Sequence, residues 1–346
     1  MTFEEQMIER LEALLHTDGI IAVKREKKLL SAWVTELVEG QDYKVPLNIV
    51  LLPYEGGAQA QWELHILFTL ARNISIDQFT ELSIRLQELN ARADTGNLLL
   101  LPTCEICYTQ QILLQETDLD AAMETAESTL QLMLLFLMNY YLYILLISSE
   151  PNRFTLKQYR EKVFEVGENQ WHTLPMDESL SKPLIEYLRM ECEQAEATAD
   201  GIAFFLSYLS GEEHFKAAGK LKFFRSTTGE AGERMELRML LLDQLPAEHL
   251  HELRLRMQDL SRQMGFGYFS IEDDRRLIYR LSCPMHPDPA EFALPLLQSY
   301  LYEIVSFLDI YYPYLIISAM DPDRMNWSAY VEQLLQLSQN DFESET

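Results

Sequence analysis

Phe136-Leu137-Met138-Asn139-Tyr140-Tyr141-Leu142-Tyr143 and Phe307-Leu308-Asp309-Ile310-Tyr311-Tyr312-Pro313-Tyr314 are two versions of one segment. They stand 171 residues apart (311 minus 140). At that fixed spacing the likeness extends in both directions without a gap. Glu81-Leu82 meets Glu252-Leu253, Arg85 meets Arg256, Gln87 meets Gln258, Gly96 meets Gly267 and Tyr108 meets Tyr279. Downstream, Glu150-Pro151-Asn152-Arg153 meets Asp321-Pro322-Asp323-Arg324, and Tyr159 meets Tyr330. About 19 identities fall within roughly 81 ungapped positions, the mark of an internal duplication. Further upstream the sequence suggests a spacing of 173, pairing Glu63-Leu64 with Glu236-Leu237 and Gly56 with Gly229. Earlier still, only Asp18-Gly19-Ile20 and Asp200-Gly201-Ile202 look alike.

Both copies together give the element order. Phe3 to His16 carries apolar residues at helical spacing and stops at Asp18-Gly19. Ile20 to Val23, Ala32 to Val38, Leu47 to Pro53 and Trp62 to Leu70 read as strands, with Tyr54-Glu55-Gly56-Gly57 as a hairpin link. A helix begins near Ser75, where Gln78 completes a capping box, and it carries Glu81 and Arg85 at i,i+4. Asn97 to Leu101 and Ile106 to Leu114 form a strand pair, and a long apolar helix from Leu119 to Ile147 closes the unit. The second copy repeats this, opening on a helix over Ser179 to Ala197. The expectation is an α+β chain of two tandem repeats, each an antiparallel sheet packed against helices in the order αβββαββα. The repeats are expected to span residues 1–166 and 167–338, with a polar tail over 339–346. An extra strand is expected in the first copy.

The 54 acidic residues against 28 basic ones give a formal charge of −26. Such a surface repels phosphate backbones, so no nucleic-acid partner is expected. The 18-residue apolar stretch from Leu130 to Ile147 approaches membrane-spanning length. Its counterpart, Leu301 to Ser318, contains Glu303, Asp309 and Pro313, so both read as core helices and no membrane span is expected. The acidic start of the chain does not resemble a signal peptide, and four cysteines do not make a disulfide framework, pointing to a cytoplasmic setting.

Motifs for chemistry are sparse. Cys104-Glu105-Ile106-Cys107 lies on or beside a strand, and the second copy has Arg275 and Ile278 at the cysteine positions. His65 and His214 fall in strand regions without acidic ligands in register. His249 and His251 do not share a helix face. No Walker, nucleophile-elbow or zincin motif occurs. No cofactor, metal or catalytic residue is therefore expected. Two features persist in both copies. The tyrosines Tyr140, Tyr141, Tyr143, Tyr311, Tyr312 and Tyr314 suit either an aromatic groove for a peptide or a helix core. The turns bearing Arg153 and Arg324 suit either a recognition loop or a helix stop, with proline ending the helix and arginine offsetting its negative end.

This layout of helices and strands, repeated and acidic, resembles the type III secretion chaperone-like superfamily, including its YbjN-type members. The resemblance implies dimerising domains that bind protein partners without nucleotide, and so a fused pair that forms an intramolecular pseudo-dimer. The expected function is a non-enzymatic protein-binding or chaperone-like module acting through sheet edges or aromatic helix faces. The alternative is a small-ligand-binding regulator, or an enzyme, with a site between the repeats. In that case Arg85, Arg153, Arg256 and Arg324 would be candidate anion ligands. A structural subunit of a larger bacterial assembly is a further possibility.

Overall fold

The computed structural model describes residues 2–17, 23–26, 28–35, 37, 44–54, 61–163, 171–176, 178–210, 213–226, 233–273, 275–285 and 289–334. Each repeat opens on an amphipathic helix. In α1 (Phe3–Thr17) the buried residues are Phe3, Met7, Ile8, Leu11 and Leu15. In α5 (Glu178–Glu191) they are Leu180, Ser181, Leu184 and Leu188, one face of a 3.6-residue period in each case.

The first repeat continues with β1 (Val23–Glu26), β2 (Leu29–Val34), β3 (Val45–Tyr54), β4 (Gln61–Ala71), α2 (Phe79–Asn90), β5 (Asn97–Leu101), β6 (Glu105–Gln115), α3 (Leu119–Ser149) and the short α4 (Leu156–Val163). The second comprises β7 (Trp171–Thr173), α5, β8 (Gln194–Thr198), β9 (Gly201–Ser210), β10 (Glu213–Ser226), β11 (Glu233–Leu242), α6 (Leu250–Ser261), β12 (Tyr268–Glu272), β13 (Arg276–Met285) and α7 (Pro289–Met320). A last helical stretch covers 327–334.

The strands form two antiparallel sheets of the same topology. One runs β1-β2-β3-β4-β6-β5, the other β8-β9-β10-β11-β13-β12, with β7 added beside β10. The chain is thus an α+β protein of two repeats. The order differs by one strand from αβββαββα, because four strands precede the middle helix in both copies. In the second copy, residues 194–197, expected to be helical, belong instead to β8, which pairs with β9 from Gln194↔Phe205 to Thr198↔Gly201. Cross-strand pairing decides that segment, and local propensity does not record it.

Strand register also corrects the upstream alignment. Leu64 pairs with Ile112, and Met235 pairs with Cys283 (235 minus 64 and 283 minus 112 are both 171). A β-bulge interrupts both ladders at the same place, between Thr69 and Ala71 and between Leu240 and Leu242. The spacing of 171 therefore holds through β4 and β11, and Glu63 corresponds to Arg234, not Glu236. In β1 to β3 the spacing is 172, since Val23↔Ala32 answers to Ala195↔Phe204. Asp200-Gly201 lies at the β8–β9 turn, whose counterpart is the β1–β2 turn, so its likeness to 18–20 is not structural. Residues 18–20, Gly56 and Gly229 lie outside the described residues.

Each repeat has its own apolar core, and Leu113 of β6 is the first-repeat residue that belongs to the second core. The long helices α3 and α7 are apolar and long enough to cross a membrane. Here 61% of the most apolar stretch of α3 is buried and 39% of that of α7. The hairpin β5–β6 shows why one glycine was kept. Gly96 has φ +75° and Gly267 has φ +71°. A Cβ on Gly96 would stand 2.7 Å from Cε2 of the Tyr108 ring. Tyr108 donates its hydroxyl to the Thr95 carbonyl, and Tyr279 donates to the Phe266 carbonyl at 3.0 Å, the same bond in both repeats.

Candidate functional site

The two repeats meet along a seam built from α2 against α6 and from the outward face of β11 against the α2–β5 connection. Gln87 of α2 donates its side-chain amide to the Arg254 carbonyl of α6. On β11, Arg234 and Glu236 point away from their own core and are buried under the first repeat. Arg234 donates to Asp94 Oδ1 at 2.7 Å and packs between the Trp171 and Phe224 rings. Arg280 reaches Glu236 Oε2 through Nη2 at 2.6 Å and Nε at 3.0 Å, and its Nη1 donates to the Tyr268 hydroxyl at 3.1 Å. Burial alone would raise the Glu236 carboxyl, but Arg280, Arg234 and Arg238 outweigh it and hold it below the usual carboxylate range. Further bonds cross the seam from Tyr54 to Glu303 at 2.8 Å, from Ser299 to Gln61 at 2.9 Å and from the Leu113 amide to the Tyr300 hydroxyl at 3.3 Å.

Beside this seam lies a groove of about 830 Å³. One wall is α2, with Ile84, Arg85, Gln87, Glu88, Ala91 and Arg92. The second is the start of α4, with Thr155, Leu156, Lys157, Arg160 and Glu161. Arg254 of α6 and Ser270 and Ile271 of β12 complete it from the other repeat. β12 is the terminal strand of its sheet, and among the described residues no strand pairs with its outer side. Five basic residues and two acidic ones line the groove, in a chain whose formal charge is −26. That local inversion of sign makes it the candidate site.

The residues singled out in the sequence have other places. Tyr140, Tyr141, Tyr143, Tyr312 and Tyr314 are buried, and Tyr311 is half-buried between the Phe307 and Trp327 rings. Their rings form matched ladders. Phe136 lies 5.0 Å from Tyr140, and Tyr143 lies 5.0 Å from Tyr159. In the second repeat, Phe307 to Tyr311 is 4.6 Å and Tyr314 to Tyr330 is 5.1 Å. Tyr159 and Tyr330 then donate to the Asn139 and Ile310 carbonyls of the long helices. The set is mainly helix core and docks the final short helices, while Tyr311 also lines, with Phe307 and Ile310, a pocket of about 260 Å³.

Arg153 is exposed, paired with Glu150 at 3.3 Å and packed over Phe154, while Arg324 is exposed on its turn. The arginines of α2 and α6 reach the turns after α3 and α7. Arg85 pairs with Glu81 at 3.0 Å and donates to the Pro151 carbonyl at 3.2 Å. Arg256 pairs with Glu252 at 3.0 Å and donates to the Pro322 and Met325 carbonyls. Carbonyls of the turns after α3 and α7, outside regular backbone pairing, are satisfied by these donors.

The capping box read at Ser75 and Gln78 does not form: Ser75 makes no side-chain cap, and Gln78 instead donates to the Ser149 carbonyl at 2.9 Å. Cys104 sits on the β5–β6 turn at φ +64° and Cys107 is buried in β6, where burial pushes its thiol up to about 11. That is opposite to an activated redox thiol. His65, read as lacking an acidic neighbour, does have one. Glu63 shares its sheet face two residues away, with Oε2 2.7 Å from His65 Nε2, and Gln111 contacts the other ring nitrogen at 2.9 Å. Among the described residues, no group of three His, Cys, Asp or Glu could hold a metal ion.

Comparison with known proteins gave no matching family model, no matching curated relative and no matching solved structure. Sequence reasoning missed Arg92, Lys157, Arg160 and Arg254 as a group. A signal for them was present in the repeat itself, where copy two has Gln263, Ser328 and Val331 opposite Arg92, Lys157 and Arg160.

Proposed function

We propose that this protein is a non-enzymatic protein-binding module in which two fused repeats act as a pseudo-dimer and receive a polypeptide segment at their seam. The observation that carries this reading is the groove itself: both repeats contribute to it, and one wall is the outer side of the terminal strand β12. A strand edge offers backbone donors and acceptors to an extended segment, and flanking side chains supply selectivity. A volume of about 830 Å³ leaves room for several side chains. The layout resemblance to chaperone-like domains points the same way.

A photo-crosslinking amino acid placed at Ile271, with a control at exposed Met190, tests the proposal. The expected result is a polypeptide adduct formed in cells from position 271 and not from position 190. Recovery of a small molecule from the groove, with no polypeptide adduct at 271, would defeat it.

A further inference from the structure

The positions that line the groove have counterparts 171 residues away in the other repeat, and the two sets have diverged in charge. Arg85, Arg92, Lys157, Arg160 and Arg254 line the groove. Positions 171 residues away on the opposite side hold Arg256, Gln263, Ser328, Val331 and Ser83. The acids were kept on both sides, since Glu88 answers to Asp259 and Glu161 to Glu332. Arg262 stands opposite Ala91, so one side carries five cations against two carboxylates and the other two cations against two. The retained pair, Arg85 and Arg256, serves carbonyls of the turns after α3 and α7, so the net difference lies in the other positions. Of these, Arg92 is exposed and, among the described residues, has no carboxylate within ion-pair reach, and Lys157 lies 3.9 Å from Glu161.

Resting on the protein-binding reading, we infer that this groove selects an acidic polypeptide segment. An isolated phosphate suits it less well. The helix N-terminus at the groove is that of α4, and its own capping box closes it. The Thr155 amide donates to Gln158 Oε1 at 2.9 Å, and the Gln158 amide donates to Thr155 Oγ1 at 3.2 Å. Glu88 and Glu161 stand among the cations, which breaks up any compact anion cradle. Cations spread over α2, α4 and α6, with Ile84, Leu156 and Ile271 between them, instead match carboxylates spaced along a chain with apolar residues interleaved. The rest of this acidic protein repels such a segment, so attraction at one groove fixes where it lands.

Fluorescence anisotropy on the full chain tests this with a labelled short peptide alternating glutamate and valine, and with its glutamine analogue. The glutamate peptide is expected to bind at least about tenfold more tightly, with affinity falling as salt rises. The pair Arg92→Glu and Lys157→Glu should weaken it by roughly tenfold or more. Gln263→Glu with Ser328→Glu, which changes the charge of the opposite side by two units, as Arg92→Gln with Lys157→Gln does at the groove, should leave it unchanged. Arg92→Gln with Lys157→Gln provides a milder variant, and thermal melts of each confirm folding. Equal binding of the two peptides would overturn the acidic selectivity while leaving a polypeptide site in place. Equal weakening by Arg92→Gln with Lys157→Gln and by Gln263→Glu with Ser328→Glu would overturn the location. No binding of the glutamate peptide, or its displacement by equimolar inorganic phosphate, would also overturn the inference.

Discussion

Replacing Glu236 by glutamine tests the buried ion cluster that the second repeat places at the seam. The side chain keeps its volume, so no cavity opens and the effect isolates charge. In the native protein Glu236 Oε2 accepts two bonds from Arg280, at 2.6 and 3.0 Å, and lies 4.0 Å from Arg234 Nη2. The Glu236 and Arg280 side chains are 7% and 17% exposed, so water cannot take over the lost role. Bonds to a charged partner contribute about 1.5–3 kcal/mol each. Removing one member of a buried ion pair costs about 3–5 kcal/mol, because the remaining charge stays buried without its partner.

The expected loss for Glu236→Gln is therefore about 3 kcal/mol, at the lower end of that range because glutamine can still accept one bond from Arg280. Urea unfolding followed by tryptophan fluorescence measures it, since Trp171 lies against Arg234 at the seam. Hydrogen exchange should locate the loosening to β11 and the Asp94 turn. A loss below about 1 kcal/mol, the size of a surface pair, would refute the reasoning that the Glu236–Arg280 pair acts as a buried ion pair. The pH sign follows from the same geometry. The Glu236 carboxyl is depressed in the folded state, so its contribution is present above the unfolded value near 4.3 and is lost as pH falls through the lower folded value. The wild type should lose stability relative to Glu236→Gln on acidification below about pH 4.3.

Other outcomes follow from the matched devices of the repeats. Gly96→Ala should lower thermal stability by about 1–2 kcal/mol from its left-handed backbone alone, with more from displacement of the Tyr108 ring; an unchanged melting curve would contradict this. Tyr108→Phe leaves the Thr95 carbonyl without its buried donor and should cost about 1–3 kcal/mol in a denaturant titration. Arg256→Met should raise hydrogen exchange over residues 321–330 by releasing the Pro322 and Met325 carbonyls, while exchange in β8–β9 stays unchanged. Burial pushes the thiols of Cys107, Cys192 and Cys283 up to about 11, 12 and 12. Native protein at pH 8 should therefore alkylate at these three sites far more slowly than unfolded protein, and mass spectrometry of digests would show which sites react.

The amino-acid sequence by itself determined the duplication, the α+β class and most of the elements. Each of these is written in local period or in self-likeness: the apolar spacing of α1, the alternation of β3, and the ring-for-ring match of Tyr140 to Tyr143 with Tyr311 to Tyr314. The fourth strand and the true register of β4 were less legible, because pairing across strands fixes them and the sequence records only one partner at a time. Whether the tyrosines faced a partner or the core was open for a related reason. A half-polar aromatic ring suits both, and the side chains of α4 and 327–334 settle the matter for most of them by covering them. The groove belongs wholly to the tertiary structure. Arg92, Lys157 and Arg254 lie far apart in the chain, and their charges act together only where folding sets α2, α4 and α6 around one space beside the edge of β12.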